Sequence, residues 1–294
     1  YYLGFFCFPI SILAFINILY SSYFDYFLSI NSYVTTLITS LIIGLFFLFL
    51  GKKSEKRITF IEQLLLIVLV YLLISFFIAL PFYLSNYQVT FLNSFFESIS
   101  GITGTGFSIF KNIKYLDPTL VLWRSSSQWI GGLYFLFFLI LIFSNKQFNY
   151  KMNNLTYSGD GRTNSESNIK NLLTSIFILY SVLSFIIFLL LNISGVRMFN
   201  SLNLSMSLIS AGGFIPTNSL ETIIRSNPQK LVFIFSLLIS MLNFFLFLNI
   251  FQKKVIIREH KEDFYLVMLS IFFILLVYLN NYSGLNIVIS VLSS

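Results

Sequence analysis

The chain has 294 residues, of which 57% are hydrophobic and 10% charged, and it carries 37 Phe and a formal charge of +7 at pH 7. A water-soluble domain with so little polar surface would expose large apolar patches, so the composition excludes an ordinary soluble protein and points to lipid as the solvent. The single cysteine, Cys7, excludes a disulfide framework and a thiolate metal site, and reads as a lipid-facing or packing residue.

In chain order, seven apolar segments approach the roughly 20 residues needed to cross a hydrocarbon core. They lie near 5–20, 34–50, 60–80, 120–143, 172–193, 231–251 and 264–282. Their apolar character is continuous, not alternating, so helices are predicted and a barrel is not. The sequence opens on Tyr1 with no basic stretch ahead of the first run. No signal peptide is expected, and the chain is read as lacking its own start.

Basic residues orient these crossings. Lys52, Lys53, Lys56 and Arg57 follow the second run, Lys146, Lys151, Arg162 and Lys170 the fourth, and Lys253, Lys254, Arg258 and Lys261 the sixth. That puts 12 of the 18 basic residues in three loops, which the positive-inside rule makes cytoplasmic. The positive charge is thus accounted for by topology, and no nucleic-acid partner is expected. His260, the sole His, lies in one of these charged loops and is assigned no catalytic or metal role.

Two outside connections, Pro81 to Thr119 and Asn192 to Gln229, are long and unusually apolar. Each holds a predicted short helix, Leu92 to Ile99 and Phe199 to Met206, followed by a glycine-bearing turn. The two match at a constant offset of 107 residues: Asn93 with Asn200, Ser94 with Ser201, Ser98 with Ser205, Ser100 with Ser207, Ile102 with Ile209, Gly106 with Gly213 and Phe107 with Phe214. Such a repeat marks a repeated structural unit. Irregular backbone at membrane depth is tolerated where it lines water, so the repeats are predicted to build a pore or a binding site.

The expected organisation is an accessory helix pair with a basic loop over residues 1–57, a first pore unit over 58–150, a cytoplasmic loop and second pore unit over 151–262, and the start of a third unit over 263–294, where the sequence reads as cut off. The fold class is an all-α polytopic membrane protein made of repeated helix, pore-helix, filter and helix units of the potassium-channel kind.

Glycine lets successive backbone carbonyls replace the water shell of a cation, because it enters conformations closed to other residues. The predicted filter comprises Thr103, Gly104, Thr105 and Gly106 in the first unit and Ser210, Ala211, Gly212 and Gly213 in the second. The C-terminal ends of the short helices would add partial negative charge at the cavity. Asn93-Ser94 and Asn200-Ser201 are the expected N-caps of those helices, and Gly131 and Gly132 are expected to permit close helix packing. Glu97 on the first short helix and Arg124 in the following crossing are ionisable groups at membrane depth, where such groups pair. A structural pair that locks the pore helix is the main reading of them; attraction of cations by Glu97 is the alternative.

Three stretches carry a family resemblance: Ser100-Gly-Ile-Thr-Gly-Thr-Gly106, Trp123-Arg-Ser-Ser-Ser-Gln-Trp-Ile-Gly-Gly132 and Ser210-Ala-Gly-Gly-Phe214. Together they resemble the Trk/Ktr/HKT potassium-transporter superfamily, and within it the bacterial TrkH-like membrane subunit, from about residue 58 onward. The resemblance implies four pore units around one ion path, of which this sequence holds two and the start of a third. It implies transported potassium, with Gly106 pointing to potassium over sodium, while Gly104, Ala211 and Gly212 depart from the Thr-rich version of the filter. It further implies residence in the inner (plasma) membrane, a homodimer, and a cytosolic nucleotide-binding gating subunit meeting the inside loops, including Asn153 to Asn168. No bound cofactor is expected beyond the transported ion.

Two other function classes compete. A secondary transporter with broken helices and a midplane substrate site also uses repeats, but those are often inverted, whereas both units here run the same way. A membrane-embedded enzyme would need paired carboxylates or a nucleophile with its base. Asp25, Glu62 and Glu97 are scattered, and no enzyme is expected.

Overall fold

The computed structural model describes residues 1–26, 30–53, 59–143, 166–242, 244–251 and 264–272, and every regular element among them is helical. In order these are α1 (Tyr2–Tyr23), α2 (Ile30–Leu50), α3 (Phe60–Tyr83), α4 (Phe91–Ile102), α5 (Pro118–Phe143), α6 (Glu166–Ile193), α7 (Met198–Ile209), α8 (Asn227–Met241) and α9 (Phe244–Phe251), with short 3-10 turns between some of them. Helices over Tyr2–Tyr23, Ile30–Leu50, Phe60–Tyr83, Pro118–Ile142 and Asn171–Ile193 are each long and apolar enough to cross a membrane. These are the first five predicted crossings, and they make the chain a multi-pass membrane protein. In lipid each helix satisfies its own backbone, which is why long apolar runs settle into this state.

The sixth expected crossing, 231–251, is not one helix. The backbone leaves the helical region at Leu242, with φ −68° and ψ 152°, which separates α8 from α9. Of the seventh crossing, residues 264–272 are helical; the remainder, the third unit's Leu285 to Ser294, residues 153–165 of the loop expected from Asn153 to Asn168, and His260 lie outside the described residues, while residues 166–168 of that loop already belong to α6.

The chain divides by packing into two compact units, Tyr1–Gln147 with Gly212–Ser219, and Phe148–Ala211 with Leu220–Ser294. In the first, α1 and α2 form a hairpin closed by small residues. A Cβ at Gly4 would fall 2.6 Å from the Gly44 carbonyl oxygen, and one at Gly44 would fall 3.1 Å from Cys7 Cβ. The Ser11 and Ser40 hydroxyls meet at 2.7 Å across the same seam. Without a hydrophobic drive between helices in lipid, such close approach and interhelical hydrogen bonds are what hold a pair together. Cys7 is fully buried there, a packing residue. The α3 helix starts at a capping box, Thr59 with Glu62, which satisfies two of the orphan N–H groups of its first turn. Helix α5 ties the unit together: Trp123 Nε1 donates to the Ile78 carbonyl of α3 at 3.0 Å, and the Tyr134 hydroxyl donates to the Phe6 carbonyl of α1 at 2.7 Å.

In the second unit, α6 packs on α7, α8 and α9. Its buried residues include Ile176, Tyr180, Ile187 and Leu191, with Leu204 and Leu208 of α7 buried alongside. Helix α8 begins at a second capping box, Ser226 with Gln229.

Candidate functional site

The two short helices repeat in structure as they do in sequence. Each has 12 residues, and the offset between Phe91–Ile102 and Met198–Ile209 is 107 at both ends. Their exits match as well. Thr103 has φ −84° and ψ −8°, and Ser210 has φ −85° and ψ 1°. The next residue is left-handed in both, Gly104 at φ 71° and Ala211 at φ 51°. Its N–H returns to the helix in the same way, Gly104 to the Gly101 carbonyl at 3.1 Å and Ala211 to the Leu208 carbonyl at 2.9 Å. A left-handed residue just past a helix end satisfies carbonyls that the ladder leaves open. Ala211 adopts that conformation without the freedom of glycine.

The starts of these helices differ from expectation. Thr90, not Asn93 or Ser94, caps α4, its Oγ1 accepting from the Asn93 N–H at 3.4 Å. Ser94 lies inside the helix with its hydroxyl donating to the Thr90 carbonyl at 3.0 Å, the back-bonding that serine adopts in helix interiors. The matching cap position of α7 is Arg197, which makes no side-chain cap, and the Ser201 hydroxyl turns back onto the Val196 and Arg197 carbonyls.

Within the first unit the two glycine turns meet. A Cβ at Gly106 would fall 2.5 Å from Gly213 Cα and 2.7 Å from its nitrogen, too close for any side chain. Gly106 has φ 79°, a left-handed conformation, whereas Gly213 is not among the positive-φ residues. The pair is therefore adjacent and differs in backbone. In the first turn, the Thr103 and Thr105 hydroxyls lie 2.7 Å apart, and the Ser100 hydroxyl donates to the Phe107 carbonyl.

Behind the first turn sits a buried charged network. Arg124 Nε donates to Glu97 Oε1 at 2.8 Å, with the two side chains 1% and 0% exposed. The Ser108 hydroxyl donates to the same oxygen at 3.0 Å, and the Ile109 N–H donates to Oε2 at 2.8 Å. Ser108 Oγ in turn accepts from Arg124 Nη2 at 2.9 Å and from the Phe110 N–H at 3.1 Å. That fills the one donor and two acceptor positions of a hydroxyl. A buried ion pair is tolerable to the extent that hydrogen bonds meet its remaining capacity, and of this network's side-chain atoms Arg124 Nη1 stays buried without one. The guanidinium Cζ also lies 4.2 Å from the Phe214 ring centre and 5.8 Å from that of Phe110, within the range of a cation–π contact.

The Trp123-to-Gly132 stretch presents one face to both turns, because positions 124, 127, 128 and 131 align on a helix. Arg124 takes Glu97. A Cβ at Gly101 would fall 2.3 Å from Ser127 Oγ, one at Gly212 would fall 2.4 Å from Gln128 Cδ, and one at Gly131 would fall 2.1 Å from the Ile102 carbonyl oxygen. Gln128 Oε1 accepts the Phe214 N–H at 3.2 Å. Ser108, Ser127 and Gln128 are not among the residues expected at the site from sequence; the i, i+3, i+4, i+7 spacing within that stretch is the signal that points to the last two.

The turns are anchored outward as well. Asn218 Oδ1 accepts the Lys114 N–H at 3.2 Å, and the Tyr87 hydroxyl accepts the Asp117 N–H at 2.6 Å while donating to the Tyr115 carbonyl at 3.2 Å. Burial raises the Tyr87 phenol above its ordinary value, so it stays protonated and keeps that donor.

Long apolar helices joined through short helices that end in left-handed turns define a polytopic membrane protein. Residues 29–282 match the TrkH family, described as a cation transport protein, and the chain belongs to that family. It is 30% identical over 194 residues to an uncharacterized cation transporter of Methanocaldococcus jannaschii, covering 64% of this chain and 40% of that protein. It is 24% identical over 227 residues to the Trk system potassium uptake protein TrkG of Escherichia coli, covering 74% of this chain and 46% of that protein. The crystal structure of the potassium transporter TrkH from Vibrio parahaemolyticus superposes with a TM-score of 0.73 at 18% identity, covering 98% of this chain and 62% of that one, so the fold is shared. The chain thus spans less than half the length of the first two relatives.

Proposed function

We propose that this chain is part of the membrane subunit of a Trk-type system for potassium uptake across the inner membrane, and that its two glycine turns supply two filter segments of the ion path. The observation that carries this reading is the apposition of Gly106 and Gly213. Repeat-related glycines from turns 107 residues apart approach closely enough to exclude a Cβ at Gly106 and to crowd one at Gly213. Left-handed φ at Gly104 and Gly106 on either side of Thr105 is the kind of backbone that can turn carbonyls toward a common axis, where they replace an ion's hydration shell. Thr103 to Gly106 and Ser210 to Gly213 are the filter residues. Glu97 and Arg124 are a structural pair that holds the first short helix to α5, since the carboxylate accepts from Arg124 Nε, Ser108 and Ile109. Each turn with its flanking helices forms one repeated unit of the helix, pore-helix, filter and helix kind.

The system so built works as a homodimer with a cytosolic nucleotide-binding gating subunit against the loops rich in Lys and Arg. The test is rubidium uptake by potassium-starved cells that lack their own uptake systems and carry the gene in its genomic context. Uptake that saturates with rubidium and is competed by potassium supports the reading. Uptake that follows an organic substrate and ignores potassium would sink it in favour of a secondary transporter.

A further inference from the structure

The second turn is held by the helix that follows the first one. Gln128, fully buried on α5 one turn beyond Arg124, accepts the buried Phe214 N–H through Oε1 at 3.2 Å. Its amide also fills the space that a side chain at position 212 would take, since a Cβ there would fall 2.4 Å from Gln128 Cδ. The Phe214 ring lies under the Arg124 guanidinium, 4.2 Å from Cζ. The backbone on both sides of Gly213 is therefore gripped from α5: at 212 by contact, and at 214 by a hydrogen bond and a ring contact. The same helix face grips the first turn through Glu97 and Gly101.

We propose that Gln128 is a positioning residue that sets the register of Gly213 against Gly106, so that ion discrimination at the second turn is fixed from α5. The inference rests on the potassium-path reading above. In a site made of backbone carbonyls, their spacing and number decide which ion replaces its water at least cost. An apolar group at 128 would leave the Phe214 N–H buried and unsatisfied, a penalty the loop relieves by moving. An acidic side chain of the same length keeps an oxygen in reach of that N–H, whether ionised or protonated.

The experiment measures rubidium and sodium uptake in the same cells, with membrane abundance and melting temperature in detergent recorded for every variant. Gln128→Met is expected to lower the rubidium-to-sodium ratio by about five- to tenfold, the size of one lost hydrogen bond. Gln128→Glu is expected to hold the ratio within about twofold of the unsubstituted protein, as an acceptor is retained. A residue that is merely structural would lower abundance and melting temperature and leave the ratio alone, and that result overturns the inference. Should Gln128→Met not accumulate, Gln128→Asn, which keeps the amide but withdraws it by one methylene, is judged by the same ratio. Discrimination by the unsubstituted protein that survives the substitution overturns the inference alone, whereas absence of any rubidium uptake by the unsubstituted protein overturns the potassium reading and this inference with it.

Discussion

Residues 103–104 leave α4 with φ of −84° and then 71°, and residues 210–211 leave α7 with φ of −85° and then 51°. Behind that shared backbone the support differs. The first short helix buries Glu97, and at the same position of the second stands Leu204, 2% exposed. Ser108, which completes the charged network of the first turn, is matched at the same offset by Ile215. The first short helix is fixed by a buried ion pair, the second buries an apolar residue at that position, and beyond it Phe214 is reached by Gln128 and Arg124 of α5. A repeated backbone thus does not require a repeated mechanism of support. The geometry of a helix exit is local, set within about four residues, whereas what braces it is whatever side chain the tertiary structure brings alongside.

The largest effect is expected at the point where the turns touch. Gly106→Ser adds a Cβ 2.5 Å from Gly213 Cα and forces a left-handed conformation that disfavours side chains by roughly 1–2 kcal/mol. The clash is with backbone, which cannot rotate aside. Rubidium uptake should fall to background while membrane insertion stays normal. Gly213→Ala should be milder, because its Cβ would fall 3.2 Å from Gly106 Cα and its φ is not left-handed. Equal losses at the two positions, or selectivity unchanged in Gly106→Ser, would break the asymmetry.

Next is the charged network. Glu97→Leu makes the first helix resemble the second and leaves Arg124 buried without its counter-charge, which should lower stability by about 3–5 kcal/mol. Glu97→Leu with Arg124→Met should recover most of that, since removing both charges is far less harmful than removing one. The check is the melting temperature of purified protein together with membrane abundance. If the double substitution is no better than the single one, the network does more than lock the helix, and attraction of cations by Glu97 returns as the explanation.

Much of this was legible in the sequence, and the gaps have physical causes. The first five crossings follow from continuous apolar runs, and the short helices from the 107-residue offset. The caps were misplaced because Thr90, Asn93 and Ser94 are all cap-forming types, and propensity cannot choose among three within one turn. The break at Leu242 has no proline or glycine in Ser240-Met241-Leu242 to announce it, so apolar content alone read through it. Gln128 stood inside the most specific stretch of the chain, yet its partner, the Phe214 N–H, lies 86 residues away. Spacing along a helix shows which residues share a face; it does not show which backbone will arrive against it.

A smaller effect is expected where α4 meets α5. Gly101→Ala places a Cβ 2.3 Å from Ser127 Oγ and 3.3 Å from Phe214 Cε2, an overpacking that should lower stability by about 1–3 kcal/mol. Ser127→Ala in the same chain removes the hydroxyl and leaves Ser127's own Cβ position 3.4 Å from the new methyl, an ordinary contact. The pair should therefore be strongly non-additive, with the double substitution close to Ser127→Ala alone. Additive losses would mean that the first turn is not braced at Gly101.

The smallest effect concerns the one left-handed residue of the turns that is not glycine. Ala211 at φ 51° bears a steric penalty of roughly 1–2 kcal/mol, while glycine there would add about 0.5–1 kcal/mol of entropy to the unfolded chain. Ala211→Gly should therefore raise stability by a few tenths to about 1 kcal/mol, the balance of those two terms. Gly104→Ala, at the matching position with φ 71°, should lower it by a similar amount for the same reason. Opposite signs at 104 and 211 would establish that the two exits are one backbone under one conformational constraint. Equal signs would mean that the surroundings of Ala211, and not its φ, decide what that position tolerates.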